Sequence, residues 1–192
     1  MKLFIVSRMY LIRIFWILAI TLLSFSCSKK PQQPLNLGQV ILQTPAEWTS
    51  TPPTSKMRKA QFSLPRVEGD SEDGELVIYY FGGEGGSAQA NLERWYGQFE
   101  QPDGASSSEK AKTAAATVDG MAMTTVDLSG TYVAPVTPMD PTNRYNKPNF
   151  RMLAAVLETA EGPYFFKLVG PEKTIEKWSA TFDDFVKSAR KK

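Results

Sequence analysis

Apolar and polar positions change period several times along the chain, and each change marks a predicted element. "QVILQTPAEW" (39–48) reads as a short strand stopped by Pro45. In "MRKAQFSLP" (57–65) Ala60, Phe62 and Leu64 alternate with polar positions, the period of two expected of a half-buried strand. A polar turn, "EGDSEDGE" (68–75), leads into "LVIYYF" (76–81), a continuous β-branched and aromatic run predicted to be a central strand. The period then lengthens: Leu92, Trp95, Tyr96 and Phe99 line one face of a helix over about 87–98. After the loop "QPDGASSS" (101–108), residues 111–133 predict two strands about the turn Asp119-Gly120. Residues 150–158 and 164–170 predict a second hairpin about "TAEGP". A last stripe of Ile175, Trp178, Phe182, Phe185, Val186 and Ala189 predicts a C-terminal helix after Gly170-Pro171. Lys187, Arg190, Lys191 and Lys192 suit the negative end of its dipole. Strands, helix, four strands, helix: this order predicts an α+β fold, an antiparallel sheet of about six to seven strands with two main helices packed on it.

Two segments fall outside that periodicity. "APVTPMDPTNRYNKPN" (134–149) carries four prolines and is expected to lack regular structure. Loops of this length are either functional or disordered; its Arg144, Tyr145 and Asn146, with Tyr132 and Phe150 at its borders, form the candidate binding surface. At the other end, Lys2, Arg8 and Arg13 precede "IFWILAITLLSF" (14–25), 12 residues without charge. A bilayer core needs about 20, so residues 1–26 are expected to be a secretory signal rather than a span. Cys27 to Gln39 follow as a polar tether with Pro31 and Pro34, and residues 40–192 are expected to be one domain.

Cys27 is the only cysteine and stands directly behind the export signal, in "LLSFSCSKK". This arrangement resembles the lipobox of bacterial lipoproteins, in which the thiol takes a diacylglyceryl group and becomes the mature N-terminus. Ser26 fits the small residue required before the cysteine; Ser24 and Phe25 depart from the usual pattern, and Leu23 comes one place early. Ordinary cleavage and an uncleaved anchor stay open beside lipidation. The resemblance implies export and attachment to a membrane of the bacterial cell envelope, facing the periplasm or the cell surface.

Charge then narrows the partners. Removing Lys2, Arg8 and Arg13 leaves 19 basic against 20 acidic residues, so the mature chain is nearly neutral and lacks the basic balance of a nucleic-acid binder. Without a second cysteine no intramolecular disulfide forms, and the core alone must hold the domain.

Candidate chemistry is thin. The chain has no histidine, which removes imidazole bases, histidine-dependent triads and His-containing metal sites. "SSEK" (107–110) matches a Ser-x-x-Lys dyad by letters but lies in a loop. Gly83-Glu84-Gly85-Gly86-Ser87-Ala88 fits the G-x-G-x-x-A dinucleotide fingerprint between a strand and a helix. However, no second strand ending in an acidic residue follows about 20 residues on, and Glu84 has the wrong sign for a phosphate. The favoured reading is a glycine turn with Ser87 as helix cap. The spacing from Asp70 fails an EF-hand, so "EGDSEDGE" is taken as a solvated turn, and Asp183-Asp184 as the wet side of the last helix. No catalytic residue, cofactor or metal is expected. Trp95 and Trp178 are assigned to the core; Trp48, Tyr132, Tyr145 and Phe150 flank irregular segments.

The last third, "GPYFFKLVGPEKTIEKWSATFDDFVKSAR", with the early "TPAEW" and "FSLP", resembles the PsbP-type α/β/α sandwich and uncharacterised exported bacterial lipoproteins with the same ending. That resemblance implies a fold and binding or assembly roles, with no active-site residues to transfer. The expected function is therefore a lipid-anchored, non-catalytic exported domain that binds a protein partner or supports an envelope assembly. The alternative is a carrier holding a small molecule or lipid between sheet and helix.

Overall fold

A computed structural model of the protein describes residues 33–82, 85–137 and 140–192. The signal segment and Cys27, and Gly83 and Glu84 of the glycine run, lie outside the described residues. In chain order the elements are β1 (Gln33–Asn36), β2 (Val40–Thr44), β3 (Thr49–Thr51), β4 (Arg58–Leu64), β5 (Gly74–Tyr80), α1 (Ala88–Tyr96), β6 (Phe99–Glu100) and α2 (Ser107–Lys110). Then come β7 (Lys112–Val118), β8 (Met121–Tyr132), β9 (Pro135–Thr137), β10 (Asp140–Arg144), β11 (Lys147–Leu157), β12 (Tyr164–Pro171), α3 (Glu172–Lys187) and β13 (Arg190–Lys191).

The main sheet runs β3-β4-β5-β12-β11-β8-β6, with β7 also paired to β8, and its strand pairs are antiparallel. Alternation along the central strands sorts side chains to two cores. Tyr164, Phe166 and Leu168 of β12 face α3, together with Leu76 and Ile78 of β5 and Leu153, Ala155 and Leu157 of β11. Phe165 faces the other way, with Met152, Ala154, Val156, Val126 and Leu128, beneath α1.

The α3 side is the thicker layer. Ile175, Trp178, Phe182, Phe185 and Val186 are buried there, and the Trp178 indole N–H donates to the Pro65 carbonyl at 3.0 Å. Phe185 lies edge-on to Phe166 and to Trp48, with ring centroids 6.0 and 5.0 Å apart. Trp48, which has no periodic neighbour in sequence, is thus a core residue; it sits in the short β2–β3 connection and packs between Phe62 of β4 and Phe185 of α3.

The acidic turn proves to be structural. Asp70 Oδ2 accepts from both the amide and the hydroxyl of Thr174, at 2.9 and 2.6 Å. This supplies the first turn of α3 with an acceptor that Pro171, at the cap position, lacks. Asp73 accepts from Ser63 Oγ and the Arg66 amide, and these hydrogen bonds hold its carboxyl below the ordinary carboxylate range. Among the described residues no group of acidic side chains is arranged to hold a metal ion.

Three expectations need correction. The domain begins earlier than Val40: Gln33–Asn36, inside the expected tether, pairs with β2, and β13 closes a three-stranded sheet on β2's other side. Pro34 is tolerated because β1 is an edge strand. The proline-rich segment 134–149 is not irregular throughout, since β9 and β10 pair as a short hairpin. The C-terminal stripe of the first helix stops at Tyr96; Phe99 leaves the helix and enters β6, buried against Tyr132.

Candidate functional site

The described residues around the glycine run form a turn and a helix cap. Gly82 and Gly86 have φ of +62° and +77°, the left-handed region that favours glycine. Ser87 Oγ accepts from the Ala90 amide at 3.1 Å, and Asn91 Nδ2 donates to the carbonyls of Gly85 and Ser87 at 2.7 and 3.1 Å. A Cβ on Gly85 would fall 2.2 Å from the Phe81 ring, so glycine there lets the turn fold onto that ring. The helix N-terminus is capped from within the chain, and the chain after α1 enters β6, antiparallel to β8, not a parallel Rossmann strand. "SSEK" folds as α2, where the Ser107 hydroxyl donates to the Phe99 carbonyl and Lys110 pairs with Asp103, so the two side chains do not form a dyad. Asp183 pairs with Lys187 one turn on.

The unusual chemistry lies under α1. Strand alternation sends Lys167 of β12 to the same face as Phe165, between Val77 of β5 and Ala154 of β11. Its small neighbour Ala154 leaves room for the side chain to rise toward α1. Only 8% of Lys167 is exposed. Its Nζ donates to Gln98 Oε1 and stands 5.7 Å from the Trp95 ring centroid and 5.5 Å from that of Tyr132. Burial brings the ammonium down to about 7, with the positive charge of Arg94 acting in the same direction and Glu75 opposing. The same burial raises the Tyr79 and Tyr132 phenols above their ordinary range. The signal for Lys167 in the sequence is "YFFKLVG", where a lysine stands among apolar residues of a predicted strand, on the same face as Phe165.

Tyr132 links this buried group to the candidate surface. Its ring stacks on Phe150 (6.1 Å between centroids, 10° between planes) and on Tyr145 (5.8 Å, 21°). The structure therefore brings Tyr132, Tyr145 and Phe150 together, in a graded order: Phe150 is buried, Tyr132 and Tyr145 half-buried. Phe150 is thus corrected from the surface to its floor, because its ring faces inward beside Met152. Arg144 is exposed over much of its length, but its guanidinium is engaged: Nε donates to the Val133 carbonyl and an Nη to that of Gly97. It braces the β9–β10 hairpin against the turn after α1. Asn146 is exposed beside Tyr145. Lys147, absent from the expected set, has its Nζ 4.5 Å from the Tyr145 centroid and pairs with Glu72 at 2.6 Å. On β9, Val136 is 39% exposed, one of two large apolar side chains exposed among the described residues.

No family model matches the chain, and no curated protein matches it. Among solved structures the chain is similar to cyanobacterial PsbP (CyanoP) from Synechocystis sp. PCC 6803, at 15% identity over 89% of this chain and 99% of that one, with a TM-score of 0.50. It is also similar to PA94 from Pseudomonas aeruginosa, described as a protein of unknown function and putative regulator, at 12% identity over 83% and 96% of the two chains, with a TM-score of 0.45. The α+β architecture is PsbP-like; identity this low speaks for the fold and not for a shared site.

Proposed function

We propose that the protein is a lipid-anchored, non-catalytic domain of the bacterial cell envelope that acts by binding a protein partner. The observation that carries this reading is the graded aromatic stack Phe150–Tyr132–Tyr145, with exposed Asn146 next to Tyr145 in the chain and exposed Val136 on the preceding hairpin, which Arg144 braces. A rigid tyrosine seated on a buried aromatic floor, with polar groups at its edge, is the composition of a protein-binding hot spot. Attachment to the membrane rests on the signal-like residues 1–26 and on Cys27.

The packing weighs against a carrier. The centre of the layer between the sheet and α3 is filled by Trp48, Phe166, Phe182 and Phe185, and that under α1 by Leu92, Trp95, Phe165 and Lys167. At the β7 margin a groove of about 250 Å³ remains between sheet and α3, lined by Ala114, Arg151, Leu153 and Phe182 and open to solvent. One groove of about 550 Å³, lined by Gly38, Gly120, Glu158 and Lys191, is likewise open to solvent. A ligand pocket would instead enclose most of its guest.

Affinity capture from native membranes with the full-length chain tests the reading. A defined protein is expected to co-purify with the wild type, and Tyr145→Ala is expected to reduce its recovery about tenfold or more, since hot-spot truncations cost about 2 kcal/mol or more. A stoichiometric lipid or small molecule in the purified material, with no protein whose recovery depends on Tyr145, would overturn it in favour of the carrier.

A further inference from the structure

We propose that β7 is a self-association edge: two copies of the chain pair antiparallel through Thr113–Thr117, with Ala115 on the two-fold axis, joining their sheets edge to edge. Among the described residues β7 pairs only with β8, in an unbroken register from Lys112↔Asp127 to Val118↔Met121. Six of its seven residues are exposed, and only Val118 enters the core. Alternation places Ala114 and Ala116 on the α3 side and Thr113, Ala115 and Thr117 on the other, and all five are exposed, so neither face of the edge is covered. The opposite margin of the sheet ends in β3, only three residues long.

Natural edge strands are protected by charges, prolines or bulges. Here the sole charge is Lys112 at the first position, and no proline or register shift interrupts the strand. The occupant is specified by the sequence of the edge, Thr113-Ala114-Ala115-Ala116-Thr117, which reads the same in both directions. A two-fold interface requires residue i to meet j while j meets i. In an antiparallel pair both partners of each couple also share a face, and a palindrome centred on Ala115 satisfies both conditions. Thr113 then lies opposite Thr117 of the second copy and Ala114 opposite Ala116, while Lys112 meets Val118, so no like charges face each other. Threonine pairs across strands are stabilising. A strand pair of this length is at the small end of interface sizes, so the dissociation constant is expected between about 10 µM and 1 mM. This pairing does not depend on the aromatic surface or on the partner it would bind.

Full-length protein carrying Cys27→Ser provides the test. Under mild oxidation Ala115→Cys is expected to form a disulfide-linked dimer. Ala114→Cys and Ala116→Cys should each form little alone and should cross-link when mixed. In sedimentation equilibrium, Thr113→Lys with Thr117→Lys is expected to weaken association at least tenfold, because lysines then face lysines. Thr113→Lys with Thr117→Glu should restore it. All these side chains are exposed, and unchanged circular dichroism would verify that the variants fold. Cross-linking that is equal at all three positions would overturn the proposal. So would a wild type that stays monomeric at about 1 mM, or equal association of the Lys/Lys and Lys/Glu variants.

Discussion

Folding stability is expected to rise between about pH 7 and pH 9.5, and Lys167→Met is expected to abolish most of that rise. The folded-state ammonium titrates at about 7 because burial disfavours its charge, whereas in the unfolded chain it titrates near the ordinary lysine value of about 10.4. Between those values the unfolded state binds more protons than the folded one, so unfolding becomes less favourable as pH rises. Below about pH 7 both states are charged, and the penalty is complete and flat. Between pH 7 and pH 9.5 the rise corresponds to about 2–3 kcal/mol. The lower end applies to the extent that Gln98 and the faces of Trp95 and Tyr132 hold part of the charge. Methionine keeps the unbranched shape and discards the charge, so the variant should also be more stable than the wild type at pH 7. Urea unfolding followed by tryptophan fluorescence at pH 6, 8 and 9.5 measures this. The buried phenols of Tyr79, Tyr132 and Tyr164 have raised values and act in the opposite direction only above their ordinary range, outside that window. An equal slope in both proteins would show that Lys167 is charged at no cost in the folded state.

Trp95→Ala is expected to cost about 3–5 kcal/mol, the range for removing a large buried aromatic. Helix α1 has nine residues, too few to persist without tertiary packing. Its grip on the sheet is Leu92, Trp95 and Tyr96, with the Trp95 ring edge-on to Phe165 at 6.1 Å between centroids. The loss should be local first: amide exchange should accelerate across 88–96 more than across α3, whose own core contains Trp178 and Phe185. Truncation also opens a path for water to Lys167, so the rise of stability with pH should shrink in this variant. Trp95→Ala and Lys167→Met are therefore expected to be non-additive, as neighbours sharing contacts are.

The elements that were legible in the sequence are those whose pattern is local. Alternation at Ala60, Phe62 and Leu64 located β4, Asp119-Gly120 located the β7–β8 hairpin, and the apolar stripe from Ile175 to Val186 located α3. Ser87 was legible as a cap because capping is a contact over three residues. What was not legible depends on contacts far apart in sequence. Asp70 serves a helix 104 residues away, and Trp48 meets Phe185 only after the C-terminal helix packs. Strand β1 and the β9–β10 hairpin form in proline-containing segments because a neighbouring strand, or the Arg144 side chain, supplies what local propensity does not. The candidate surface was legible as a set of residues, but its depth was not: no periodicity distinguishes buried Phe150 from half-exposed Tyr145.

The intact mass and N-terminal residue of the mature protein, isolated from membranes of the producing bacterium, test the proposed anchoring most directly. The expected species begins at Cys27 and carries a thioether-linked diacylglycerol, and Cys27→Ser should release the protein from the membrane fraction and abolish palmitate labelling. A mature protein that begins elsewhere without lipid, or a Cys27→Ser variant that fractionates and labels as the wild type does, would contradict it.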